Sequence, residues 1–350
     1  MTNPYRKLPS HNFWRKGVTE FCRNEFDPVT SVRFQIEKTD KVATAGSCFA
    51  QHISRRLSAI GFNYFVPESG FAFEPAERTR RNFGVFSARF GNIYTARQLV
   101  QLFDEAIHDK RPREQAWARP DGRFVDPYRP QIEPDGFASE IEVRASRFEH
   151  LSAVRKMLKE ADVFVFTLGL TESWMSKEDG AVFPLAPGVA GGSYDPERHQ
   201  FVNFSAAEVE ADLHYFVTEL RKINEKVRIL FTVSPVPLIA TYEDRNVLVS
   251  TTYSKSVLRV AAETMFRTYD FVDYFPSFEI ITGSYNFGMY YEEDAREVNN
   301  LGVSHAMRVF LKNYAAGTDG QNQVPANVQE TDFSAARVVC DEESIASINK

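Results

Sequence analysis

Ser47 stands where a short apolar segment, "KVATA" at 41–45, passes through Gly46 into a run with helical spacing. The first N–H groups of a helix have no intrahelical partner and favour negative charge, so an oxyanion formed beside this serine would be stabilised. Serine is also a preferred N-cap residue. Position alone therefore leaves two alternatives open for Ser47, a nucleophile or a helix cap.

The neighbouring Cys48 raises the same question, because a thiol at a helix N-terminus can have a lowered pKa and act as a nucleophile. The sequence holds three cysteines and no CxxC pair. A lone cysteine is more often a small buried apolar side chain. We interpret Cys48 as buried.

A second group of polar residues follows the apolar run "DVFVFTLG" at 162–169. Gly169 permits a close approach to the backbone, so we predict that Glu172 lies in the site. The alternative is a carboxylate that offsets the dipole in the first turn of a helix. Lys255 and Arg259 have the i, i+4 spacing of a solvated helix face, which we favour over an anion site. Four aromatic residues favour core packing over a sugar-binding wall: Tyr274, Phe275, Phe278 and Phe287.

Composition excludes several classes of function. The chain has 350 residues, 43% of them hydrophobic, and a formal net charge of −6 without a basic stripe, so nucleic acid is not an expected partner. No run approaches the ~20 apolar residues of a membrane span, and the N-terminus lacks the apolar core of a signal peptide. We therefore expect a cytoplasmic protein without a metal or cofactor. The sequence leaves its oligomeric state open.

Strand and helix patterns alternate from Lys41 onward, which predicts an α/β fold with a central parallel sheet. The predicted strands are "KVATA", "DVFVFTLG", "VRILFTVSP" and "FVDYF". The predicted helices end at Gly61, begin near Thr95, cover "LSAVRKMLKEA", begin at the Ser205 capping box, and cover "SKSVLRVAAETMF" and "GVSHAMRVFLKNY".

Irregular segments surround this core. Residues 1–40 are predicted to be a lead-in that Trp14, Phe21 and Phe34 pack against the body. The main domain is assigned to 41–315, with surface excursions at 109–150 and 175–204 and a flexible tail at 316–350. The Gly- and Pro-rich stretch from Phe183 to Phe204 exceeds the ~12–15 residues of an ordinary loop, so we predict that it covers the cleft.

Six longer motifs carry a resemblance. They are "GSCFA" at 46–50, "FGNIYTARQL" at 90–99, "TLGLTESW" at 167–174, "TVSPVPL" at 232–238, "YSKSVLR" at 253–259 and "YFPSFEI" at 274–280. Together they resemble the GSCFA-domain family of bacterial proteins, which is similar to the SGNH/GDSL hydrolases. The resemblance implies a flavodoxin-like, three-layer α/β/α fold with a serine nucleophile after the first strand.

The resemblance also implies roles for single residues. Ser47 resembles the nucleophile, and Gly91, with Asn92 beside it, resembles the glycine whose N–H helps form the oxyanion hole. SGNH enzymes carry G-x-N-D after a central strand, whereas this chain has Gly169, Leu170, Thr171 and Glu172. Thr171 offers a hydroxyl in place of an amide, and losing one oxyanion donor costs ~2.7–4 kcal/mol of transition-state stabilisation.

The base departs further from that pattern. SGNH enzymes have D-x-x-H before the final helix, but Asp294 is followed three residues later by Glu297. His305 lies near the start of that helix and off its apolar stripe, so it is expected outside the core. Three alternatives stay open for the base: His305 oriented by Asp294, His199 in the long loop, or no histidine.

These features predict an SGNH-like serine hydrolase or acyltransferase that acts on an ester such as an O-acylated carbohydrate. Ser47 would attack the acyl carbon, the N–H groups of Ser47 and Gly91 with the Thr171 hydroxyl would hold the oxyanion, and His305 would move the proton. The alternative is a binding or scaffold protein that keeps the cleft without a working base, which the glutamate at position 297 favours.

Overall fold

The computed structural model describes residues 3–317 and 341–346. Its strands are β1 (Val42–Gly46), β2 (Trp117–Ala118), β3 (Phe124–Val125), β4 (Val163–Leu168), β5 (Glu172–Ser176), β6 (Val182–Phe183), β7 (His199–Asn203), β8 (Arg228–Val233) and β9 (Val272–Phe275). Its helices are α1 (Ala50–Ala59), α2 (Pro75–Arg80), α3 (Ala96–His108), α4 (Glu140–Glu160), α5 (Ala206–Ile223), α6 (Val247–Thr268), α7 (Ser277–Thr282), α8 (Asn300–Tyr314) and α9 (Glu343–Ala346). The four predicted strands are all present.

The central sheet has four parallel strands in the order β1-β4-β8-β9. Successive residues of a strand face opposite sides, so β4 supplies both faces of the core. Phe164 and Phe166 pack with apolar side chains of α3 to α6. Val163 and Val165 pack with those of α1, α7 and α8 on the other face. The predicted parallel sheet is confirmed, and the arrangement is consistent with three α/β/α layers.

Local sequence signals account for the helix starts. Thr95 with Gln98 and Ser205 with Glu208 form reciprocal capping boxes at α3 and α5, the second of which the sequence predicts. Helices α4 and α6 begin earlier than predicted, capped by Ser139 and Asn246. Their first turns are largely polar or exposed, so no apolar stripe marks them.

Both predicted excursions contain regular elements. Within 109–150, β2 pairs with β3 and α4 begins, and Trp117, Val125 and the wholly buried Arg129 lie inside the protein. Residues 172–203 form a second, antiparallel sheet in the order β6-β5-β7. That sheet stays at the carboxyl end of β4, since the Phe204 N–H donates to the Thr171 carbonyl at 2.9 Å. That the 183–204 segment covers the cleft stays a prediction.

The lead-in packs through Phe34, as predicted, and through residues that the sequence does not single out. Trp14 and Phe21 are exposed. Phe26 is buried against Tyr285 instead, and Ile36 is buried and bridges Ala315 after α8. Large aromatic side chains predict burial only when an apolar surface lies within reach, which the sequence does not show.

Much of the predicted tail, 318–340 and 347–350, lies outside the described residues. Residues 341–346 differ from a flexible tail, because Asp341 and Glu342 are buried and the Gln131 amide donates to the Asp341 carbonyl and to the Ser344 hydroxyl. Among the described residues, no helix is both long and apolar enough to cross a lipid bilayer.

Candidate active site

The site lies at the carboxyl ends of β1 and β4, the edge at which open parallel sheets bind ligands. Ser47 follows β1 and Gly169 follows β4, and these two strands are paired neighbours. On its other side β1 forms a parallel bridge from Val42 to Tyr64. After β1 the chain first runs along one side of this strand, at Tyr64, and later along the other side, as β4. Ser47 therefore lies where the strand order reverses.

Ser47 is held rigidly by its backbone, while its hydroxyl is left without a partner. It is 3% exposed, and its N–H donates to the Thr167 carbonyl at 3.0 Å. In the described part of the chain, its buried Oγ makes no hydrogen bond. The N-cap of α1 is Phe49, so the helix-cap alternative for Ser47 is wrong.

Gly46 brings Ser47 to this position. Its φ of +123° is a conformation that residues with a side chain rarely adopt, and a Cβ there would overlap the Thr167 carbonyl. The turn also lets the Gly46 carbonyl accept the Ile93 N–H at 2.9 Å. At Gly46, therefore, β1 contacts both β4 and the 91–94 segment, directly before Ser47.

Gly169 is equally constrained by space. A Cβ at this residue would lie 3.0 Å from the Tyr94 carbonyl oxygen and 3.1 Å from the Ser47 Cβ. Its own N–H donates to the same Tyr94 oxygen at 3.1 Å. Gly169 therefore lies directly beside Ser47.

We expect Gly169→Ala to lower the free energy of unfolding by ~1–3 kcal/mol and to slow modification of Ser47, because the added methyl group pushes on the serine. The measurements are chemical unfolding and labelling by a fluorophosphonate. Gly180→Ala is the control, since φ there is +75° and its Cβ would meet nothing within 4 Å. It should cost ~1–2 kcal/mol of backbone strain with labelling unchanged. Equal labelling of Gly169→Ala and wild type would contradict the contact.

Gly91 and Asn92 lie against the site and face an anion. Gly91 has a φ of +69°, and the Asn92 N–H that follows donates to a carboxylate oxygen of Asp341 at 3.3 Å. The Asn92 side chain also bonds this carboxylate. A backbone donor aimed at a negative oxygen is what an oxyanion hole requires.

The N–H that faces Asp341 is that of Asn92, one residue after the predicted donor Gly91, and the donors predicted at Ser47 and Thr171 are already used. The Ser47 N–H is bound to Thr167, and the Thr171 hydroxyl donates to the Asn203 side-chain oxygen at 2.7 Å. Glu172 is the first residue of β5, so the helix-dipole alternative is wrong. The Thr241 hydroxyl donates to it at 2.7 Å, while burial raises its carboxyl pKa.

His305 lies in the core, contrary to prediction. It is 1% exposed, and its two ring nitrogens lie 2.7 Å from the Tyr290 hydroxyl and 2.7 Å from the Phe26 carbonyl oxygen. The lead-in covers this side of α8, a contact that spans 279 residues of sequence. Neither ring nitrogen is hydrogen-bonded to Ser47.

The predicted partners of His305 also lie apart from it. Asp294 is exposed and caps a turn by accepting the N–H groups of Arg296 and Glu297, each at 2.9 Å. Glu297 is exposed as well. His199 is buried between Glu114 and the Asp195 N–H. The structure therefore brings none of these side chains into hydrogen-bond contact with the Ser47 hydroxyl.

Lys255, like His305, is buried where the sequence predicts an exposed side chain. It is 2% exposed, and its ammonium donates to the Gly169 carbonyl at 2.7 Å. Burial lowers its pKa to about 8, against the opposing charges of Glu342 and Cys48, and Arg296 lowers it further. The spacing of apolar residues indicates this burial, because Leu258 and Ala262, at i+3 and i+7 from Lys255, are buried on the same face of α6.

The remaining side chains divide between core and surface. Cys48 is buried, as predicted. Phe275 is buried and Tyr274 and Phe278 are partly buried against the core, but Phe287 is 75% exposed beneath the Arg23 guanidinium. Phe287 has a φ of +54° at the end of a short turn, which directs it away from the body.

The residues described here give no sign of a metal centre, since no three His, Cys, Asp or Glu side chains among them are grouped to hold an ion. The chemistry near Ser47 is instead that of a hydroxyl, an amine, a backbone N–H and two buried carboxylates. No sequence motif marks Asp341, Glu342 or Arg296 as site residues; tertiary contacts place them there.

The comparison with protein families agrees with the motifs around Ser47. Residues 41–310 match the GSCFA family. The chain belongs to this family. No curated protein and no solved structure matches it. The matched range of this GSCFA protein contains Ser47, Asn92, Gly169, Lys255 and Arg296, whereas Asp341 and Glu342 follow it.

Proposed function

We propose that this GSCFA protein is an SGNH-like serine hydrolase or acyltransferase acting on an ester. The observation that carries the proposal is the buried Ser47 hydroxyl without a hydrogen-bond partner in the described residues, at the carboxyl end of β1. A buried polar atom left unpaired costs free energy, so it is retained where a ligand completes it.

Strand order supports the SGNH-like part of the proposal. With residues 62–66 beside β1 through the Val42–Tyr64 bridge, the order reads as 2-1-3-4-5, that of flavodoxin-like folds. Sites in such folds lie at the reversal beside the first strand, where Ser47 is found.

We assign Lys255 as the base; like the histidines, it makes no hydrogen bond with the Ser47 hydroxyl in the described residues, and Gly169 lies between the two side chains. Gly169 links it to the serine, since the Gly169 backbone abuts the Ser47 Cβ and its carbonyl accepts the Lys255 ammonium. A lysine with a pKa of about 8 is partly neutral near physiological pH and then accepts a proton. Serine–lysine pairs perform acyl transfer on unrelated folds.

The reaction has two stages. The Ser47 oxygen bonds to the acyl carbon as Lys255 takes its proton, and the Asn92 N–H stabilises the oxyanion. The bond to the leaving alcohol then breaks, and the Lys255 ammonium returns the proton to that alcohol. Water or a sugar hydroxyl next attacks the acyl carbon of acyl-Ser47 as neutral Lys255 takes its proton. The bond to the Ser47 oxygen then breaks, and the Lys255 ammonium returns the proton to that oxygen, giving the acid or a transferred ester. An O-acylated carbohydrate is the substrate class that the SGNH resemblance favours.

The test is covalent labelling of the intact chain by a fluorophosphonate, with the modified peptide identified by mass spectrometry. We expect labelling of wild type at Ser47 and none in Ser47→Ala. Ser58→Ala, an exposed serine on α1, is the matched control and should label like wild type. Equal labelling of Ser47→Ala and wild type would exclude Ser47 as the nucleophile.

A binding protein with an unused cleft is the second candidate. It is favoured by one observation, that the Ser47 N–H and the Thr171 hydroxyl are both committed to other acceptors. If the protein only binds its ligand, the fluorophosphonate should not label Ser47 in the wild-type chain.

A further inference from the structure

The chain's own acidic segment lies in the candidate site. Asp341 and Glu342 are 3% and 7% exposed, although carboxylates ordinarily stay in water. Each is held by donors from the body. Asp341 takes the Asn92 N–H at 3.3 Å, and Glu342 pairs with the Arg296 guanidinium at 2.8 Å.

Lys255 connects these contacts with Ser47. Its ammonium lies within electrostatic reach of Glu342, Arg296 and Cys48, the residue next to Ser47. Asn92 belongs to the 91–94 segment, whose Ile93 N–H binds Gly46. One surface therefore collects a backbone N–H, an amine and a guanidinium, and these are donors that recognise carboxylates and phosphates.

We infer that the Asn92 side-chain amide and the Arg296 guanidinium form an anion subsite beside Ser47 and Lys255, that Asp341 and Glu342 fill it in this structure, and that the ligand carries a carboxylate group which replaces them. The identification of that ligand as an ester substrate rests on the proposed function. The occupancy of the subsite does not.

Burial of the two acids agrees with this inference. Desolvation raises the carboxyl pKa of Asp341 to about 6 and raises that of Glu342 as well, with Arg296 and Lys255 opposing the second shift. The charged segment is therefore docked at a cost, which favours its replacement by a ligand with better contacts. Gln131 adds a neutral anchor through the Asp341 carbonyl.

The first experiment measures how fast iodoacetamide modifies Cys48 in the full chain, with Cys48 identified by peptide mass mapping. This readout needs no catalysis, so it is independent of the proposed function. Asp341→Asn/Glu342→Gln should react about tenfold faster than wild type, because two charge-assisted contacts are lost. Glu292→Gln/Glu293→Gln is the matched control, removing two exposed charges near Arg296, and should react like wild type.

The second experiment adds N-acetyl-Asp-Glu-amide to the Asp341→Asn/Glu342→Gln protein. We expect this dianionic dipeptide to slow Cys48 modification, whereas N-acetyl-Asn-Gln-amide has no effect. Adding Arg296→Gln should weaken the protection about tenfold or more. An unchanged Cys48 rate in Asp341→Asn/Glu342→Gln would overturn the occupation of the subsite by Asp341 and Glu342, and equal protection by the two dipeptides would overturn the anion subsite.

Fluorophosphonate labelling of the same proteins separates the two proposals. Faster Ser47 labelling in Asp341→Asn/Glu342→Gln supports both of them. Faster Cys48 modification without any Ser47 labelling keeps the subsite and rejects the serine chemistry. Slower Ser47 labelling would show that the acids assist the reaction, which contradicts their assignment as a stand-in for the ligand.

Discussion

Lys255→Met is expected to slow acylation of Ser47 by about 10²–10⁴-fold with the fold intact, because the neutral amine is the base that we assign. Only the unprotonated amine accepts the serine proton. With its pKa lowered to about 8, activity should rise as the pH rises through about 8. Burial of the amine sets that midpoint; of the charged groups that face it, Glu342 and Cys48 raise the pKa and Arg296 lowers it. The measurement is the pH profile of ester hydrolysis or of fluorophosphonate labelling.

Arg259→Met is the control for Lys255→Met, four residues along the same helix. Arg259 is partly exposed and pairs with Glu279 at 2.7 Å, so its loss should leave both the rate and the pH profile near those of wild type. A Lys255→Met protein that keeps the wild-type profile would remove Lys255 from the mechanism.

Arg129→Met is expected to lower the free energy of unfolding by about 3–5 kcal/mol, the usual cost of breaking one side of a buried ion pair. Arg129 is fully buried and pairs with Asp126, itself 1% exposed, at 2.7 Å. It also donates to the Arg89 carbonyl at 3.3 Å, just before the Gly91 turn. Methionine fills similar space, so the loss comes from the stranded Asp126 charge and not from a cavity.

The comparison for Arg129→Met is Arg144→Met, which breaks an exposed i, i+4 pair with Glu140. Exposed pairs of this type contribute ~0.3–0.5 kcal/mol, so the two variants should differ several-fold in urea unfolding. A cost below ~1 kcal/mol for Arg129→Met would mean that Arg147, 3.5 Å from Asp126, alone sustains the carboxylate.

Much of the fold was predictable because its signals are local. Apolar runs gave the four central strands, and a capping box marked the start of α5. The strand-to-helix position of Ser47 and the small residues Gly46 and Gly169 were visible in the same way. The local signal for Lys255 is ambiguous, because its charge favours solvent while its register with Leu258 and Ala262 favours burial.

The sequence by itself determined the alternating α/β pattern, the family motifs and the place of Ser47 after β1. Only the tertiary structure decided what surrounds that serine. It buried His305 against the lead-in, placed Lys255 on the Gly169 carbonyl, and docked Asp341 and Glu342 beside Asn92 and Arg296. Such pairings join residues up to 279 positions apart, and no local propensity encodes them. They arise when packing removes water from charged groups, which must then find their partners within the fold.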